Sequence, residues 1–146
     1  MSIAETRREQ IFPVLDQAQI EAAKRFASGA PRDFAPGETV FDAGERNVPS
    51  WLVLEGSIDA IGRDGRGRET YITTHHAGQF SGELSQLAGR QSLAIGRAGT
   101  EGATAIPFDD VHVRALMIGS AEIGEIMMRA FILRRVGLID EGRAGS

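Results

Sequence analysis

Trp51-Leu52-Val53-Leu54-Glu55-Gly56-Ser57-Ile58-Asp59-Ala60-Ile61-Gly62-Arg63-Asp64-Gly65-Arg66-Gly67-Arg68-Glu69-Thr70-Tyr71-Ile72-Thr73-Thr74 sets short apolar and β-branched runs between glycines. Runs of this kind, bounded by turn-forming residues, read as strands joined by tight turns. The same punctuation continues outward. Gly37, Gly44, Gly78, Gly82, Gly89, Gly96 and Gly102 set off further segments, among them Thr39–Asp42, Ser92–Arg97 and Ala103–Phe108. With 18 glycines in 146 residues, well above the usual ~7% share, the glycines carry architectural information. Their spacing predicts a sandwich or barrel. Gly62–Arg68 lacks the Gly-Lys-Ser/Thr ending and the following helical pattern of a phosphate loop, so it reads as a solvated hairpin turn.

Helices are expected on both sides of the β region. Asp16 can cap a helix through Phe26, with Gln19 as capping-box partner and Gly29 as the stop. Asp109 or Asp110 begins a short helix through about Ile118, and Ser120 caps a longer one ending near Gly142. Glu122 and Glu125 in its first turns and Arg134 and Arg135 further on suit the helix dipole, and Glu125 stands four residues before Arg129. Ile123, Ile126, Met127, Met128, Phe131, Ile132, Leu133, Val136, Leu138 and Ile139 spread round most of this helix, which therefore needs a second contact surface. A second copy or a downstream domain would provide one; tolerated exposure beside a single packed face is the alternative.

Composition narrows the function. At 146 residues one domain is expected, with a core large enough to need neither disulfides nor structural metal. The lack of cysteine excludes thiol catalysis and a Cys-x-x-Cys redox centre. A net charge of -4 argues against direct nucleic-acid binding, which depends on neutralising phosphates. The longest apolar stretches, Trp51–Leu54 and Ala130–Leu133, fall far short of the roughly 20 residues a membrane helix requires. Met1–Gln10 is charged rather than signal-like, so a soluble cytoplasmic protein is expected, without a membrane partner.

The chemically distinctive run is Gly78-Gln79-Phe80-Ser81-Gly82-Glu83-Leu84-Ser85-Gln86-Leu87-Ala88-Gly89-Arg90. A turn that opens at Gly82 exposes backbone N–H donors able to receive an anion, as helix N-termini and backbone nests do. Glu83 supplies an acceptor suited to a sugar hydroxyl; its alternative role is a cap or a partner for a nearby arginine.

This run resembles the phosphate-binding cassette of the cyclic nucleotide-binding domain, the family of the catabolite activator protein and kinase regulatory subunits. Phe34-Ala35-Pro36-Gly37-Glu38, Val40-Phe41, Gly44-Glu45, Trp51–Ile58 and Gly78-Gln79-Phe80 fall in that family's order, so the resemblance spans nearly all of residues 11–140. It implies an eight-stranded antiparallel β-roll, a jelly-roll-like double-stranded helix, with an N-terminal helix and C-terminal helices. Residues 1–146 would form a single domain, with 11–118 as the roll and its flanking helices and 120–141 as a connecting helix. It also implies a cyclic nucleotide, cyclic AMP or cyclic GMP, as ligand, at Gly82, Glu83 and Leu84. Ile72 and Thr73 resemble positions lining the base side of the pocket, although core and surface roles suit them equally.

One departure bears on function. Aligning Ala94, Arg97-Ala98 and Ala105 with the family pattern places Ser92 where the family carries the arginine that pairs with the phosphate, and Leu93 at the following small residue. A buried phosphate without its cation typically loses about 2–5 kcal/mol, roughly thirty- to several-thousand-fold in affinity. Arg90 could compensate if the chain stays extended, since residues two apart share a face of a strand and stand ~6–7 Å apart; otherwise it is a solvated arginine. Arg97 alternates away from Ser92 and reads as structural.

Other functions fit less well. A metal-dependent, cupin-like enzyme would use His75, His76 and Glu83, but neighbouring strand residues point to opposite faces, and His112 falls in an expected helix. No catalytic residues, metal ligands or required cofactor are therefore assigned. Gly89–Ala94 and Arg129–Arg135 look similar to bacterial versions fused in front of a thioredoxin-reductase-like flavoprotein. The expectation is a regulatory sensor domain, the N-terminal part of a longer protein, with a degenerate cassette and weak or altered ligand binding. The C-terminal helix would meet a homodimer partner or a downstream domain. The alternative is a non-binding roll kept for docking or dimerisation.

Overall fold

The helix capped by Asp16 is the first element of the computed structural model, which describes residues 13–63, 65–82, 94–130 and 132–133. This helix, α1, spans Gln17–Lys24. The expected capping box is complete: Gln19 N–H donates to Asp16 Oδ1 at 2.8 Å, and Asp16 N–H donates to Gln19 Oε1 at 2.9 Å. The helix stops earlier than Phe26, and Gly29 does not end it. A long-range contact redirects the chain there. Ser28 N–H and Oγ both donate to the Pro107 carbonyl, at 2.9 and 3.0 Å, and Asp109 N–H donates to Ser28 Oγ at 3.0 Å.

Six strands follow among the described residues: β1 (Arg32–Phe34), β2 (Thr39–Phe41), β3 (Ser50–Arg63), β4 (Glu69–His76), β5 (Phe80–Ser81) and β6 (Ile95–Phe108). All pairings are antiparallel, with β3 bonded to β4, β5 and β6, and β6 bonded also to β1 and β2. The solvated turn at Gly65–Arg68 joins β3 to β4, with Arg63 opposite Glu69. The mainly β architecture with flanking helices is as expected, but the described strands do not number eight. Gly56 and Gly102, read as separators, lie inside β3 and β6, each 14 residues long.

These two glycines bend strands instead of ending them. Gly56 and Gly102 have φ of 72° and 78°, and the β3–β6 ladder shifts register on both sides of Gly56. A Cβ on Gly56 would lie 2.1 Å from the Gly102 carbonyl oxygen. Only bare backbone fits at that crossing, and the bend it permits lets the long strands curl into a roll.

Strand alternation then sorts the core into two clusters. Trp51 and Val53 face the roll interior with Phe34, Phe41, Val48, Ile58, Ala98, Ala103 and Ala105. Leu52, Phe80, Ile106 and Phe108 face the other way and pack against Leu15, Ile20 and Ala23 and against Val113, Leu116, Ile123 and Met127. Each fully buried Leu, Ile or Phe contributes about 1.5–3 kcal/mol relative to exposure, so the helices are held chiefly by this outer cluster.

Helix α2 spans Asp110–Gly119 with Asp109 as its N-cap, and α3 covers 121–130 and 132–133. Ser120 caps α3 as expected, accepting Ile123 N–H at its Oγ, 3.3 Å, and Gly124 N–H at its carbonyl, 2.8 Å. Glu125 and Arg129 form the expected pair at 3.0 Å. Ile123, Met127 and Ala130 are buried, whereas Met128 and Ile132 are 49% and 56% exposed, so one face packs and another is open. The expected end near Gly142, with Phe131, Val136, Leu138 and Ile139, lies outside the described residues. Among the described residues, no helix is long and apolar enough to cross a membrane.

The α2 cap makes stability depend on pH. Asp109 Oδ1 meets both the His112 Nδ1, at 2.5 Å, and the His112 backbone N–H, at 2.9 Å. The His112 side-chain hydrogen bond, aided by the backbone bond, holds the Asp109 carboxyl below its ordinary value. A carboxylate with a depressed folded-state pKa stabilises the fold above its unfolded pKa, near 3.9, and that contribution is lost as pH falls through the lower folded value. Asp109→Ala is expected to cost about 0.5–2 kcal/mol at pH 7. In urea titrations, the gap between native and variant chains should narrow as pH falls below about 4.

Candidate functional site

The run that distinguishes the sequence begins with a turn tied to both the sheet and α1. Gly78 N–H donates to the Val53 carbonyl at 2.8 Å, and Leu15 N–H donates to the Gly78 carbonyl at 2.8 Å. His76 N–H is held by Gln79 Oε1 at 2.8 Å. The chain then enters β5, where Phe80 lies opposite Leu52 and Ser81 opposite Trp51. Gly82 leaves the sheet at φ 84°, and a Cβ there would meet the Pro49 carbonyl at 3.3 Å and the Phe41 ring at 3.4 Å. Because Phe41 belongs to the interior cluster, β5 delivers a left-handed, side-chain-free backbone to the edge of the roll interior.

Glu83, Leu84, Arg90, Ser92 and Leu93 lie outside the described residues. Thr73 and Ile72 are described, and they separate. Thr73 lies opposite Ala60 and His75 opposite Ile58; Ile58 and Ala60 are buried and Ile58 is part of the interior cluster. Thr73 and His75 therefore share the inner face. Ile72 falls where the register shifts between Ala60 and Ile61, and it is 57% exposed against Gly62. As the extra residue of a bulge, it escapes the strict alternation.

Arg97 lies opposite Asp59, on the outer face. Its Nη1 and Nη2 donate to Glu69 Oε1 and Oε2 at 2.7 and 2.5 Å, and Arg63 stands 3.9 Å from the same carboxylate. The side-chain hydrogen bond to Arg97 holds Glu69 below the usual carboxylate range, and the same bond raises Arg97 above the ordinary guanidinium value. This bidentate pair bridges β6 and β4 across β3. Its guanidinium is already engaged.

The interior also holds polar atoms that sequence reasoning missed. Trp51 Nε1 and Ser81 Oγ, at directly opposed positions beside Gly82, are buried without a hydrogen-bond partner among the described residues, as is Ser50 Oγ on the adjoining residue. No local pattern signals this, since burial of a serine next to a glycine depends on which strand lies opposite. Trp51 is further enclosed by Phe34, edge-on at 5.3 Å, and by the Arg32 guanidinium 5.8 Å from its ring.

The histidines stand on different surfaces. His75 is buried and His76 exposed, while His112 sits at the start of α2 on Asp109. Among the described residues, no group of three His, Asp or Glu side chains is placed to hold a metal ion.

Comparison with known proteins bears on these features. The family model described as "Cyclic nucleotide-binding domain" matches residues 31–127. No curated protein matches the sequence closely enough to count as a relative. Among solved structures, the catabolite activator protein of Thermus thermophilus superposes with a TM-score of 0.72 at 19% identity, covering 92% of this chain and 62% of that one. The c-di-GMP responsive global regulator CLP of Xanthomonas campestris gives 0.69 at 19% identity, with 88% and 62% covered. A regulatory subunit of a cAMP-independent protein kinase A from Trypanosoma brucei gives 0.63 at 21% identity, with 85% and 45% covered. The likeness at these identities is one of fold, and the chain spans less than two thirds of each of these three proteins.

Proposed function

The chain belongs to the cyclic nucleotide-binding domain family, and from that premise we propose that it is a regulatory sensor domain whose phosphate-binding cassette is degenerate, with Ser92 in place of the phosphate arginine. Cyclic AMP or cyclic GMP would seat against Gly82, Glu83 and Leu84, with Thr73 on the inner face of the roll. Binding would be weak or altered in choice. The observation that carries this reading is Gly82, left-handed and side-chain-free at the edge of the roll interior, within the run that resembles the family cassette. The Arg97–Glu69 pair supports the missing charge, because the nearest described arginine on β6 is committed to the outer face. Altered ligand choice has parallels in the fold neighbours named as c-di-GMP responsive and cAMP-independent.

The domain would act by differential affinity. A ligand shifts the position of α3 only if it binds one arrangement better than another. We assign no enzymatic step to this chain. The sequence likeness at Gly89–Ala94 and Arg129–Arg135 favours a cytoplasmic bacterial protein in which a thioredoxin-reductase-like flavoprotein follows the sensor. A second reading, a roll that docks or dimerises without a ligand, is favoured by the open apolar side chains of Met128 and Ile132.

Calorimetric titration with cyclic AMP and cyclic GMP separates the two readings. The sensor reading expects saturable heat with a Kd of about 1 mM, near 4 kcal/mol of binding free energy. That heat should disappear in Glu83→Ala, and in Arg90→Ala if Arg90 supplies the charge. No heat at millimolar nucleotide assigns the roll to docking.

A further inference from the structure

We propose that Gln19 is a latch that fastens the first turn of α3 to α1, and through the start of α1 to the Gly78 turn before β5. Its amide serves two helices at once. Gln19 Oε1 accepts Asp16 N–H at 2.9 Å to close the cap of α1, while Gln19 Nε2 donates to Glu122 Oε1 at 2.8 Å, 103 residues further along the chain. At the other end of this path, Leu15 N–H is bonded to the Gly78 carbonyl, and a Cβ on Gly78 would lie 2.6 Å from the Leu15 carbonyl oxygen. The start of α1 and the turn before β5 are thus in direct backbone contact.

The corner between α2 and α3 is equally close-fitting. A Cβ on Gly119 would lie 2.4 Å from the Phe26 ring just beyond α1, and one on Gly124 would lie 2.3 Å from the Met117 carbonyl oxygen. With Ile123 and Met127 buried against the same cluster as Leu15 and Ile20, the beginning of α3 is pinned on several sides. The latch is the polar member of that set. Displacement of α3 while the latch holds is therefore a rotation about its first turn, and displacement of the Gly78 turn is felt at the same place. What displaces the turn rests on the sensor reading above. The latch itself requires no ligand.

Amide hydrogen exchange in the ligand-free chain tests the latch independently of nucleotide binding. Gln19→Glu keeps an oxygen acceptor for Asp16 N–H but sets a carboxylate against Glu122. Exchange at Ile123 and Gly124 should quicken about tenfold, and exchange at Leu15 about threefold, with α1 itself nearly unchanged. Combining Gln19→Glu with Glu122→Gln exchanges donor and acceptor, and should bring both sites back to within about twofold of native rates. Gln19→Lys retains a donor for Glu122 while losing the capping acceptor; it should loosen the start of α1 and leave Ile123 and Gly124 protected. Unchanged exchange at Ile123 and Gly124 in Gln19→Glu, or no recovery in the exchanged pair, overturns the latch. A change at those amides with none at Leu15 overturns its connection to the Gly78 turn.

Discussion

Ser92→Arg is expected to tighten cyclic nucleotide binding by roughly thirty- to several-thousand-fold, the equivalent of about 2–5 kcal/mol for a buried phosphate that regains its cation. The gain should depend on guanidinium geometry. Ser92→Lys, which offers a flexible point charge instead of a planar fork, should recover only part of it. Arg97→Ala should leave affinity essentially unchanged, because Arg97 is spent in a bidentate pair with Glu69 on the outer face of the roll. Titration calorimetry on the three variants reads all of these effects. Equal affinity in native and Ser92→Arg chains would mean that position 92 does not face the phosphate.

Gly56→Ala should produce the largest loss of stability. The residue is left-handed at φ 72°, which costs an L-residue about 1–2 kcal/mol, and its Cβ would lie 2.1 Å from the Gly102 carbonyl oxygen. Backbone cannot swing aside as a side chain can, so the overlap adds about 1–3 kcal/mol of overpacking. Gly44→Ala separates the two costs, since Gly44 is also left-handed, at φ 87°, but has nothing within 4 Å of its Cβ position. Urea unfolding should place Gly56→Ala about 1–2 M below the native midpoint, and Gly44→Ala clearly closer to it. Equal shifts for the two variants would mean that the β3–β6 crossing yields without cost.

Much of the fold was legible because its signals are local. The Asp16–Gln19 box lies within one helical turn, as do the Asp109 and Ser120 caps and the Glu125–Arg129 pair. Glycine was read correctly as punctuation but not always as the right kind. A turn and a kink inside a long strand call for the same freedom of φ, and only the partner strand distinguishes them; hence Gly56 and Gly102 sit within ladders. The early end of α1 has a similar origin, since the Ser28 contacts with Pro107 and Asp109 are set by tertiary packing.

At the candidate site, the structural role of Arg97 followed from alternation. The register shift at Ile72 did not, because a bulge is invisible without the opposing register. The burial of the polar atoms of Trp51 and Ser81 was hidden for the same reason. Nor does the sequence disclose Gln19–Glu122, whose partners stand 103 residues apart.

The most direct test of the missing charge is a crystal structure of the chain grown with saturating cyclic AMP. The nucleotide should lie within the roll, its phosphate on the backbone beginning at Gly82, with no guanidinium in hydrogen-bond reach from residue 92 or from Arg97. A phosphate gripped by an arginine in the place left by Ser92, or a nucleotide bound away from Gly82, would contradict the account.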